Sequence, residues 1–94
     1  MTPLEKEIEA KLVKVVKDAG GLCLKWVCPG WAGVPDRIVL LPGARVVFVE
    51  TKCPKGGRIS SRQEWWRRKL RALGFRHYFI WDESDIQHFA IAEL

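Results

Sequence analysis

Pro35-Asp36-Arg37-Ile38-Val39-Leu40-Leu41-Pro42-Gly43-Ala44-Arg45-Val46-Val47-Phe48-Val49-Glu50-Thr51-Lys52 decides how this chain folds. Two β-branched, apolar runs, Arg37 to Leu41 and Arg45 to Thr51, flank a Pro42-Gly43-Ala44 turn, the pattern of a β-hairpin. If the turn leaves Leu41 opposite Arg45, Val39 meets Val47, Ile38 meets Phe48 and Asp36 lies opposite Glu50. Cβ atoms so paired are ~5 Å apart, where like charges destabilise a sheet unless something offsets them. A hard divalent cation between the carboxylates does so, and oxygen ligands suit Mg²⁺ or Mn²⁺ better than zinc. A slip of one residue puts Asp36 and Glu50 on opposite faces and removes the argument. Strand alternation independently places Glu50 and Lys52 on one face. An ammonium there can orient a metal-bound water or stabilise the charge that builds on a pentacoordinate phosphorus. The plainer alternative is that Glu50 and Lys52 are solvated residues at a strand end and Asp36 merely ends a loop.

Outward from the hairpin, the remaining elements follow from periodicity and stop signals. Thr2 serves as N-cap, Pro3 suits the first helical position and Glu5 completes a capping box. Ile8, Leu12, Val15 and Val16 recur at helical spacing, and Gly20-Gly21 ends a helix expected over residues 3 to 19. Leu22 to Val27 reads as a strand, followed by a loop to Pro35. Pro54-Lys55-Gly56-Gly57-Arg58 is a flexible basic loop. A second helix is expected from Ser61 to Leu73, with Trp66, Leu70 and Leu73 as its buried stripe. Arg76 to Trp81 is a fourth strand, and Asp82 or Ser84 caps a short last helix carrying Ile86, Phe89 and Ala90. The expected order is αβββαβα: a single-domain α/β fold, with a mixed sheet flanked by helices.

Composition sets the outer bounds. The chain has 94 residues, 48% of them hydrophobic, with five Trp and four Phe, which favours one folded core over disorder. A net charge of +5 and a pI near 9.4 lean toward a polyanionic partner such as nucleic acid. Cys23, Cys28 and Cys53 form no CxxC pair and read as reduced thiols, not as a zinc site or disulfide framework. Without a signal peptide or a bilayer-length apolar run, an intracellular, cytoplasmic protein is expected. Neither a Walker A loop nor a GxGxxG fingerprint supports a nucleotide cofactor.

Several residues are candidates to join the hairpin acids. Glu5 and Glu9 lie on the helical face that carries Ile8, Leu12, Val13 and Val16, and a carboxylate among core positions needs a partner. Glu5 has its capping task, so Glu9 is the better candidate. Ser60-x-x-Gln63 forms a capping box that would make Gln63 structural. Ser61-x-x-Glu64 is an equally good box that would free it, and Gln63 continues the inward stripe. Lys55 and Arg58 follow the site directly and are candidates for phosphate contacts. Arg62, Arg67, Arg68 and Arg71 with Trp65 make a basic, aromatic helix surface that is either a nucleic-acid contact or simply solvated. Lys25 is ambiguous. Trp26 and Trp31 read equally as core, as dimer contacts or as wedges into DNA. His77 and His88 have no catalytic partner in the pattern.

At these residues the chain resembles a known family. Gly33-Val34-Pro35-Asp36-Arg37, Val49-Glu50-Thr51-Lys52 and Ser60-x-x-Gln63 are similar to the motifs of the PD-(D/E)XK nuclease superfamily and, within it, of the VRR-NUC family. The likeness extends over nearly the whole chain, so residues 1–94 are expected to be one VRR-NUC domain with an αβββαβ restriction-endonuclease-like core. The resemblance implies a Mg²⁺- or Mn²⁺-dependent endodeoxyribonuclease. Asp36, Glu50 and the Thr51 carbonyl would be metal ligands, Lys52 would assist the attacking water, Gln63 would orient active-site groups and Glu9 would complete the acidic cluster. DNA contacts would fall to Lys25, Lys55, Arg58, Arg62 and Arg67. Small stand-alone members of this family, often phage-encoded, act as homodimers on branched DNA such as Holliday junctions. Homodimerisation and action on junctions are therefore expectations here. Cutting of flaps, ends or linear DNA, and a non-catalytic nucleic-acid-binding module, are the alternatives.

Overall fold

The computed structural model describes residues 3–94, so the expected Thr2 cap lies outside the described residues. The elements run α1 (Pro3–Asp18), β1 (Leu22–Lys25), β2 (Arg37–Leu41), β3 (Arg45–Thr51), α2 (Ser61–Ala72), β4 (Arg76–Ile80) and α3 (Glu83–Glu93). This is the expected order, and β2 and β3 have the expected bounds.

Helix α1 forms because Ile8, Leu12 and Val16 repeat every fourth residue and can be buried together. It stops where Gly20 turns to φ +85°: the Gly20 amide bonds the Lys17 carbonyl and the Gly21 amide bonds the Val16 carbonyl, both at 3.0 Å. That pair of bonds satisfies carbonyls the helix would otherwise leave open. At the hairpin, Leu41 pairs with Arg45 and Arg37 with Val49, the register that brings Asp36 to Glu50. Gly43 and Ala44, at φ 81° and 60°, make the turn.

The sheet order is β1-β2-β3-β4, antiparallel except for the parallel β3–β4 pair, whose crossover is α2. Strand β3 is therefore central, and every residue from Val47 to Thr51 is buried. Strand β1 is shorter than expected and ends at Lys25. The Trp26 amide still donates to the Asp36 carbonyl at 2.9 Å, so one ladder bond continues past the strand.

Alternation sends Val39, Leu41, Val47 and Val49 to one face, where they pack with Leu12, Val16, Ile80, Ile86 and Phe89 beneath α1 and α3. The opposite face carries Phe48 and Glu50 and is covered by α2 with an aromatic cluster: Phe48 touches Trp26 and Phe75, and Trp26 touches Trp66. The α2 stripe is narrower than the sequence implies. Leu70 is buried, but Leu73 occupies the C-cap, past the last helical turn that faces the sheet, and is 60% exposed. Asp82, not Ser84, caps α3, accepting from the Asp85 amide at 2.9 Å.

Candidate active site

Three elements converge where β2 begins and β3 ends. Asp36 immediately precedes β2, Glu50 and Thr51 close β3, Lys52 follows, and Gln63 lies in the first turn of α2. Glu50, Thr51 and Lys52 are buried although two are ionisable. Asp36 is fixed by Thr51: its Oδ2 accepts from the Thr51 hydroxyl at 2.9 Å and from the Thr51 amide at 3.2 Å.

Gln63 ties the rest together. Its side-chain oxygen accepts from Lys52 Nζ at 3.0 Å and from the Ser60 amide at 2.9 Å, while its Nε2 donates to Glu50 Oε1 at 3.2 Å. The Ser60 hydroxyl accepts from the Gln63 amide at 3.1 Å, so the Ser60–Gln63 capping box forms. The choice between a cap and a site residue dissolves, because one side-chain oxygen has two lone pairs and serves both. Glu64, the competing box residue, is instead taken by Arg67 and Arg68, which hold its carboxyl down to about 2.

Electrostatics mark the acid pair. Burial, then the Asp36 charge, then a hydrogen bond shared with Asp36 push the Glu50 carboxyl up to about 8, against only partial relief from Lys52. Two acids held this close in a buried corner accommodate either a proton or a cation. The donor set fits a hard divalent ion: carboxylate oxygens from Asp36 and Glu50 come together in one corner. Among the described residues no three His, Cys, Asp or Glu side chains form a metal-sized group. An ion here would complete its shell with water and phosphate, as Mg²⁺ commonly does.

Glu9 is buried, at 4% exposure, and its carboxylate is taken by Arg37, whose Nη2 and Nε stand 2.6 and 2.8 Å from Oε1. Arg37 also donates to the Cys23 carbonyl at 3.2 Å. The structure thus places Glu9 against Arg37, the residue that follows Asp36. Arg37 went unassigned in the sequence. Its signal was alternation: a charged residue one step from Asp36 must face α1, where it needs an acid. Glu5 is partly buried in the first turn of α1.

The basic candidates separate by what already holds them. Arg67 forks onto Glu64, and Arg71 donates to the His77 carbonyl at 2.7 Å. Lys25, Lys55, Arg58 and Arg62 are exposed. His77 is buried, which with the nearby arginines lowers its pKa to about 4, and its Nδ1 has no hydrogen-bond partner among the described residues. Cys23, Cys28 and Cys53 form no disulfide.

No family model matches the chain. Over 82 residues it is 40% identical to p44 of Acyrthosiphon pisum secondary endosymbiont phage 1, which carries the provisional name of a nuclease, covering 87% of this chain and 86% of that protein. A solved VRR_NUC domain superposes with a TM-score of 0.91 at 20% identity, covering 99% of this chain and 100% of the other. No described helix is long and apolar enough to cross a membrane.

Proposed function

This chain belongs to the VRR-NUC family as a small phage-type member, and from that premise we propose that it is a metal-dependent nuclease that hydrolyses phosphodiester bonds in DNA. The observation that carries the reading is the closed chain Glu50–Gln63–Lys52, with Asp36 against Glu50. Asp36, Glu50 and the Thr51 carbonyl would hold Mg²⁺ or Mn²⁺. Such an ion, when bound, acidifies a water nucleophile and offsets phosphate charge. Gln63 fixes the other two side chains: its amide holds one Glu50 oxygen and its carbonyl aims the Lys52 ammonium. Because Lys52 is buried, its charge acts on a phosphate through less screening than it would in water. The Glu9–Arg37 pair neighbours Asp36 in the chain and would act as a positioning pair for the start of β2.

Branched DNA cut by a homodimer is the substrate reading that suits a domain of this size, since a two-fold pair presents two matched sites. The sheet face at β1–β2 supports pairing of copies: Leu22 lies beside Leu40, and both are exposed. Lys25, Lys55 and Arg58, exposed near the site, would contact the backbone.

The test is cleavage of a labelled four-way junction beside linear duplex, single strand and flap, with Mn²⁺, Mg²⁺ or EDTA, for wild type and Lys52→Ala. Metal-dependent cutting of the junction that Lys52→Ala abolishes supports the full reading. Cutting of flaps or ends keeps the chemistry and removes the junction. Tight binding with no cutting of any substrate replaces the enzyme with a binding module.

A further inference from the structure

A groove of about 510 Å³ opens between the β1–β2 loop and the start of α2, lined by Trp31, Ala32, Ser61, Arg62, Trp65 and Trp66. Two of these tryptophans are left unusually open for such large apolar groups: Trp31 is 58% and Trp65 48% exposed. Their rings lie nearly parallel, 24° apart, with centroids 6.3 Å from each other. Trp66 packs edge-on to both from below and is itself pinned by an Nε1–H bond to the Ala32 carbonyl at 3.0 Å. The loop is held as firmly. Gly33 sits at φ +81°, and a Cβ there would fall 2.6 Å from the Arg62 Cβ, so the loop rests directly on the helix. The groove is therefore built in advance, and filling it costs little ordering of side chains.

Its chemistry selects the occupant. Flat, open indole faces favour a flat π-system. Arg62, exposed and without an ion pair among the described residues, favours an anion attached to that ligand. Ser61 and Arg62 begin α2, so the same anion meets the positive end of the helix dipole. Gln63 of the acid site is the next residue after Arg62. A nucleotide joins those features in one ligand. A base inside a duplex has both faces covered by its neighbours, whereas an unpaired base does not.

We propose that the Trp31–Trp65 platform stacks one unpaired nucleobase of a DNA strand, with Arg62 on its phosphate, and so positions single-stranded or locally opened DNA at the acid site. That the strand is also the cleaved one rests on the nuclease reading above; the stacking itself does not. Binding is measured in EDTA, by anisotropy, with a labelled oligothymidylate and an all-abasic strand of equal length. Wild type is expected to prefer the strand with bases by about tenfold or more, the worth of one stacked base. Trp65→Ala loses that preference and Trp65→Phe keeps most of it, which separates lost stacking from lost folding. Arg62→Ala weakens both strands alike and lowers the salt dependence by about one phosphate contact. Equal wild-type affinity for the two strands, or an unchanged preference in Trp65→Ala, overturns the proposal. So does conversion of a dimer to a monomer by Trp65→Ala in sedimentation, which makes the platform an interface between copies. A protein that keeps the base preference yet cuts nothing refutes the nuclease reading alone.

Discussion

Glu50 is the residue on which the account turns, and its environment makes a signed prediction. Folding raises its carboxyl from the ordinary 4.5 to about 8, so the folded state favours the protonated form. Its contribution to stability is complete below about pH 4.5 and is lost as pH rises through about 8. In metal-free buffer the unfolding free energy, and with it the thermal midpoint, is therefore expected to fall as pH climbs from about 6.5, above which His77 is neutral in both states, to about 8, by on the order of 2 kcal/mol. Glu50→Gln should flatten that profile, and a pH-independent wild-type midpoint would contradict the argument. Gln63 allows its two tasks to be separated. Ser60→Ala removes the cap alone and should cost about 1 kcal/mol of stability. Gln63→Ala should cost a similar amount and in addition slow cleavage about tenfold or more, because Lys52 and Glu50 lose their common anchor. Equal activities of the two variants would return Gln63 to a purely structural role. Sequence pattern could nominate Gln63 but could not reveal that one amide serves both ends, since that depends on where Lys52 arrives from another element.

At the scale of elements, the hairpin was the most legible part of the chain. Period-two apolar runs around a Pro-Gly turn fix both bounds and register, and the observed Arg37–Val49 and Leu41–Arg45 pairs follow. Helix ends were less legible where tertiary contact decides them. Leu73 matches the α2 stripe by spacing, yet the helix ends at Ala72 and leaves Leu73 exposed at its C-cap. The Glu9–Arg37 pair was the least legible, because it forms across a helix–sheet interface that no local pattern encodes. This pair yields a prediction of its own. Arg37→Ala leaves the Glu9 carboxylate buried and uncompensated and should cost about 3–5 kcal/mol. The double change Arg37→Met with Glu9→Leu should restore much of that loss in chemical denaturation. If the single change is harmless, the pair does not anchor α1 to β2.

For the molecule as a whole, size and charge leave two demands. A 94-residue basic domain grips little DNA alone, and the edge at β1–β2 leaves Leu22, Leu24 and Leu40 exposed. Sedimentation should accordingly find a dimer at micromolar concentration, and Leu24→Lys should shift it toward monomer without lowering metal affinity. A wild-type monomer at tens of micromolar would remove the dimer. Composition leans toward a polyanionic partner but could not reveal this surface, because exposed leucines are visible only once α1 and α2 have chosen which strands to cover.

The most direct measurement is calorimetric titration of Mn²⁺ into wild type, Asp36→Asn, Glu50→Gln and Lys52→Ala. Wild type is expected to bind Mn²⁺ with release of a proton near pH 7, because Glu50 must give up its proton to become a ligand. Binding should be lost in Asp36→Asn and Glu50→Gln and kept in Lys52→Ala. Equal Mn²⁺ affinity in wild type and the two acid variants would mean that the buried carboxylates are not held together for a cation.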